Sequence, residues 1–143
     1  MTRVVLDTNV LISAAIKRDG LEARVLSLCF ARALENALSD ALEAEFRSVG
    51  SRKKFARHAE TLATLTDALV QASSRVTVSD PPRRCKDPDD DMVLACATAA
   101  DARYLVTGNI SDFPADTGLV RVLNARALLV ALGEIEPGSA KAT

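Results

Sequence analysis

Carboxylates recur at four places along this chain, each shortly after a brief apolar run. Asp7-Thr8-Asn9 follows Val4-Val5-Leu6, and Glu45 lies a few residues beyond Leu38-Ser39. Cys85-Lys86-Asp87-Pro88-Asp89-Asp90-Asp91 follows Val76-Thr77-Val78, and Thr107-Gly108-Asn109 with Asp112 follows Tyr104-Leu105-Val106. A single acid in such a position is usually a helix cap or a turn former. Three inward acids from separate segments are harder to dismiss. At about 4 Å and an effective dielectric near 20, each carboxylate pair repels by about 4 kcal/mol, so the cluster needs a cation or raised pKa values. Oxygen donors with no histidine among them suit Mg2+ or Mn2+. Such an ion lowers the pKa of a water, orients it in line with a phosphate and stabilises charge on the leaving oxygen.

Helix phase selects among the acids. Asp91, Leu94, Ala95 and Thr98 have i, i+3, i+4, i+7 spacing, so Asp91 is expected to continue the inward stripe of its helix. Asp87 suits the N-cap, with Pro88 at the first helical position and Asp89 and Asp90 in the first turn, where the helix dipole favours negative charge. Glu45 shares a face with Leu42, whereas Glu43 points away. The expected core of a metal site is therefore Asp7, Glu45 and Asp91.

The elements that must hold these residues alternate between strand and helix. Val4–Leu6 reads as a central parallel strand with chemistry at its carboxyl end. Leu21 to about Ala33 has helical spacing, Leu38-Ser39 is a brief strand, and Asp40–Val49 is a helix stopped by Gly50. Lys53–Ser73 carries the longest helical stripe, Val76–Val78 is a strand, and Asp80-Pro81-Pro82 is a break. A helix opening at the acidic run reaches about Ala100. Strands follow at Tyr104–Val106 and Val120–Leu123, and Asn124 caps a last helix that Gly133 ends. This alternation predicts an α/β fold, a three-layer α/β/α sandwich around a parallel sheet of about five short strands. Residues 1–133 make one domain, and 134–143 read as a flexible tail.

Composition narrows the function. The chain has 143 residues, is 48% hydrophobic and carries a net charge of −1 from 18 basic and 19 acidic residues. No stretch approaches the ~18 uniformly apolar residues of a spanning helix, and the N-terminus meets Asp7 too early for a signal core, so a cytoplasmic location with no membrane partner is expected. Cys29, Cys85 and Cys96 lack the spacing of a zinc site or disulfide framework, and His58 is the single histidine. The absence of a global basic surface means any nucleic-acid contact must be local. Arg52, Lys53, Lys54 and Arg57 read as a solvated helix face. Arg83, Arg84 and Lys86, just before the acidic loop, are the expected phosphate contacts.

The four acid-bearing segments together resemble the motifs of PIN domains, nucleases that include the VapC-like toxins of bacterial toxin–antitoxin pairs. Val4-Val5-Leu6-Asp7-Thr8-Asn9-Val10-Leu11 is similar to the opening motif, and Leu38-Ser39 with Leu42 and Glu45-Phe46-Arg47 to the second. The acidic run ending at Asp91 followed by Leu94-Ala95 resembles the third, and Tyr104 to Asn109 with Asp112-Phe113 the fourth. The resemblance spans about residues 3 to 132. It implies hydrolysis of RNA phosphodiesters with Mg2+ or Mn2+, with Asp7, Glu45 and Asp91 as ligands and Asp112 as a further catalytic acid. Thr8, Asn9, Thr107 and Asn109 would support them. A toxin-like member would act beside a cognate antitoxin and form a homodimer. Many relatives carry Asp where this chain has Asn109, which points toward use of one metal ion.

Other chemistries fit less well. A phosphatase with Asp7 as nucleophile wants a carboxylic acid two residues later, and Asn9 supplies none. A phosphate-accepting receiver domain wants a lysine where Thr107-Gly108-Asn109 stands. The remaining alternative is a non-catalytic RNA- or protein-binding module on the same fold.

Overall fold

The computed structural model describes residues 1–79 and 81–138. Asp80 in the expected break, and residues 139–143 of the expected tail, lie outside the described residues. Five parallel strands form one sheet in the order β3-β2-β1-β4-β5: β1 (Thr2–Leu6), β2 (Leu34–Leu38), β3 (Ser74–Arg75), β4 (Tyr104–Val106) and β5 (Arg121–Leu123). Val4, Val5 and Leu6 are wholly buried, as an apolar run in a strand covered on both faces must be. Each such side chain contributes about 1.5–3 kcal/mol on full burial.

Six α-helices connect and cover the strands: α1 (Thr8–Ile16), α2 (Leu21–Phe30), α3 (Asp40–Gly50), α4 (Ala59–Ala72), α5 (Pro88–Ala99) and α6 (Ala125–Ala131). Helices α1, α2 and α4 pack on one another, and α6 joins them through α2. Helix α5 lies across β2, β1 and β4. The α/β/α layering expected from the alternation is present, with the core running through the sheet.

Several local expectations are revised. Helix α1 was not anticipated. It is apolar nearly all round, with Val10, Leu11, Ile12, Ala14 and Ala15 buried, so it lacks the amphipathic stripe that marks a surface helix. The strand expected at Leu38-Ser39 is the longer Leu34–Leu38, and Ser39 instead caps α3 by accepting from Leu42 N at 3.2 Å. The strand expected at Val76–Val78 is Ser74–Arg75, with Val76 N adding one further bond to Leu38 O. The helix expected over Lys53–Ser73 is broken into a 3-10 segment at Lys53–His58 followed by α4. Ile135 packs against the core and Glu134 N bonds Leu129 O at 2.8 Å, so the chain beyond Gly133 begins docked.

Strand order reverses between β1 and β4: the chain runs outward from β1 through β2 to β3, then crosses to place β4 and β5 on the other side of β1. In open α/β sheets that switch point, beyond the carboxyl ends of the strands, is where ligands sit.

Candidate active site

Asp7 leaves β1 at the switch point. Its backbone N bonds Val106 O of β4 at 2.9 Å, and its carboxylate then caps α1 by accepting from Thr8 N at 2.8 Å. The other oxygen, Oδ2, accepts from Thr107 Oγ1 at 2.8 Å and Asn9 Nδ2 at 3.3 Å. Asn9 reaches back across the strand ends, its Oδ1 accepting from Gly108 N at 2.8 Å. Thr107 Oγ1 also accepts from Asn109 N at 3.1 Å. The ends of β1 and β4 are thus tied by one small network that fixes the Asp7 carboxylate.

This network forms the floor of a cleft of about 440 Å3. Glu45 from α3, Asp87, Asp89 and Asp90 from the start of α5, and Asp112 with Asn109 from the segment after β4 line it with Asp7. Two cations, Arg52 and Lys54, line the same cleft. Six carboxylates therefore face two positive charges. Among the described residues no three acids close on a single point as a formed metal cage would; they stand around the cleft instead.

Crowding and burial show in the titration of the acids. Burial lifts the Asp7 carboxyl above its ordinary value and Asp112 adds to this, while hydrogen bonds from Thr107 and Thr8 oppose it. Glu45 is raised by burial and by Asp89 beside it. Asp90 is pushed up to about 7, first by burial and then by Asp7, Asp112, Asp87 and Asp89.

Asp91 is not in this cleft. It is only 2% exposed and lines a separate hollow with Leu94, Ala95 and Thr98, under the strap formed by Pro81, Pro82 and Arg84. Its Oδ1 accepts from Arg84 N at 2.8 Å and Cys85 N at 2.7 Å, and Arg83 Nε lies 3.0 Å from Oδ2. The two amides hold its carboxyl below the usual value. The helical stripe predicted for Asp91 is real, but that face looks onto the strap. Asp90 and Val93, one residue earlier in phase, look into the cleft. The expected convergence of Asp91 with Asp7 and Glu45 is thus replaced by that of Asp90. Asp91→Ala should lower the melting temperature by several degrees, because two strap amides lose their acceptor. Calorimetry of the variant checks this, and an unchanged transition would show that the strap does not depend on Asp91.

The basic groups also exchange places. Arg83 pairs with Asp91 and donates to Lys86 O, and Arg84 donates to Asp116 O. Neither Arg83, Arg84 nor Lys86 lines the acid cleft, whereas Arg52 and Lys54 do. Arg52 and Lys54, at the start of the 3-10 segment, line it together with Glu45 and Val49 of α3. Glu43 points away as expected, its carboxylate held by Arg75 at 2.6 Å and Arg47 at 3.1 Å. Thr8 differs in detail: its backbone N–H, not its hydroxyl, holds Asp7. The hydroxyl is buried in the cleft wall without a hydrogen-bond partner.

That orphaned oxygen, together with an all-oxygen donor set of excess negative charge, fits a hard divalent cation and an oxyanion beside it. A parallel α/β sheet with a carboxylate cleft at its switch point defines the architectural class. The chain belongs to the PIN domain family, whose sequence profile matches residues 3–111. A search of curated proteins finds no match. Among solved structures, a chain from VapBC2 of Rickettsia felis, crystallised with a DNA fragment from its promoter, superposes with a TM-score of 0.57 at 20% identity. The match covers 85% of this chain and 98% of that one.

Proposed function

We propose that residues 1–133 form a metal-dependent endoribonuclease that hydrolyses RNA phosphodiester bonds in the cytoplasm, the toxin half of a toxin–antitoxin pair. The observation that carries this reading is the cleft itself, where six carboxylates surround an unpartnered hydroxyl at the switch point of a PIN fold. Like charges gathered this way call for a divalent cation. Asp7, Glu45 and Asp90 would hold Mg2+ or Mn2+, with Asp112 as a fourth acid and Asp91 outside the set. When bound, the ion supplies charge neutralisation at the scissile phosphate. Thr107 and Asn9 keep Asp7 in one rotamer. Asp112, on the exposed rim, is suited to accept a proton from the attacking water. Asn109 at the rim adds no charge, which favours one ion over two.

Arg52 and Lys54 are the phosphate contacts of this reading. Removing either charge should weaken RNA binding for every sequence and reduce the salt dependence by about one unit of slope. Filter binding at several salt concentrations measures it. Unchanged slopes in both variants would assign these cations to the solvated surface.

Membership of the toxin-like group is supported by the likeness to a chain of VapBC2, and implies a cognate antitoxin and a homodimer. Expression without a neighbouring small protein should slow growth, and Asp7→Ala should relieve it. Equal growth with both would remove the toxin role and leave the nuclease reading to the cleavage assay.

A further inference from the structure

The acid cleft is not isolated. A small recess of about 20 Å3, lined by Asn9, Ser13, Glu22, Thr107, Gly108 and Asn124, shares Asn9 and Ser13 with it at the carboxyl edge of the sheet. A second hollow of about 520 Å3 beyond β4 and β5, bordered by Lys17, Gly20, Glu22, Asn124 and Arg126, shares Ser13, Glu22, Gly108 and Asn124 with that recess. Ser13 lines all three spaces, Asn9 joins the first two, and Gly108 joins the last two. Two strand spacings of about 4.8 Å separate β1 from β5, so the path from acid cleft to hollow is about 10 Å. Lys17 and Arg126 border the hollow with Glu22 as the one carboxylate of its lining, whereas six carboxylates line the cleft.

We propose that this second hollow binds the nucleotide adjacent to the scissile phosphate, with Lys17 and Arg126 on its phosphate. A polyanion crossing a carboxylate cleft needs anchors outside it, because the cleft repels every phosphate but the one a cation neutralises. Arg52 and Lys54 supply an anchor at one end of the cleft, and this hollow supplies one at the other. Glu22 cannot take phosphate and is left for N–H donors on the base edge.

The inference rests on the RNA reading of the cleft but is tested separately, by binding rather than by cleavage. The probe is a single-stranded RNA oligonucleotide, with wild type, Lys17→Glu, Arg126→Gln and, as a distant control, Arg121→Glu at the amino end of β5. Melting curves establish that each variant is folded. Lys17→Glu is expected to weaken binding about tenfold and to lower the salt slope by about one unit, with Arg126→Gln acting in the same direction and Arg121→Glu doing neither. Folded Lys17→Glu and Arg126→Gln proteins with wild-type affinity and slope would overturn the subsite, as would an equal loss in Arg121→Glu. Wild-type protein that binds with the expected slopes but never cleaves with Mg2+ or Mn2+ would uphold the subsite and remove the nuclease reading.

Discussion

Asp7→Asn is expected to reduce single-turnover RNA cleavage by about 10³-fold, the rate equivalent of the several kcal/mol that metal-assisted charge stabilisation supplies. The fold should survive the change. An asparagine oxygen still accepts from Thr8 N, and the change gives up only the bonds that Thr107 and Asn9 donate to the other carboxylate oxygen. RNA affinity should hold or rise, because the cleft loses a negative charge while Arg52 and Lys54 are untouched. Loss of binding with cleavage per bound complex preserved would reverse these roles. Burial and three hydrogen bonds leave Asp7 one position, so loss of activity cannot be assigned to a wandering side chain.

The second large effect is on stability. Without a divalent ion, Asp90 is charged only with difficulty, and its folded pKa of about 7 lies well above the ordinary carboxylate value. Between the unfolded and folded pKa values the native state holds a proton that the unfolded chain has released. Stability therefore falls as pH rises toward about 7, and the full penalty is present above it. A bound cation removes that penalty. Mg2+ or Mn2+ should raise the melting temperature much more at pH 8 than at pH 5. Asp90→Asn should stabilise the metal-free protein at pH 8 and shrink the response to the ion. A metal response identical at both pH values, or one unaltered in Asp90→Asn, would contradict the assignment of Asp90.

Much of this arrangement was legible in the sequence because single side chains announce it. Val4–Leu6 followed by Asp7 marks a buried parallel strand and its chemical end, and Asp87-Pro88 marks the first turn of α5. Asn124 was readable as a cap, and its Oδ1 accepts from Ala127 N at 2.8 Å. What was not legible depends on neighbours distant in sequence. Asp91 and Leu94 do share a helical face, but periodicity cannot say whether that face meets the sheet, the cleft or a strap. The strap amides of Arg84 and Cys85 decide it. Helix α1 escaped because most of its residues are buried and only Asn9 and Ser13 mark a polar outer face, too few to show a period. Arg52 and Lys54 read as a solvated face because sequence periodicity does not show that they border the same cleft as Glu45.

On the proposed function, Asp7, Glu45 and Asp90 would hold a divalent cation, while Asp91 holds the strap amides of Arg84 and Cys85. Single-turnover cleavage of one end-labelled RNA, with Mn2+ added and then chelated, tests this most directly in wild type, Asp90→Asn and Asp91→Asn below their melting temperatures. The predicted result is cleavage by wild type only while the ion is present, none by Asp90→Asn, and retained cleavage by Asp91→Asn. Wild-type protein that binds the RNA yet leaves it intact with either ion would contradict the account, as would full activity in Asp90→Asn beside none in a folded Asp91→Asn.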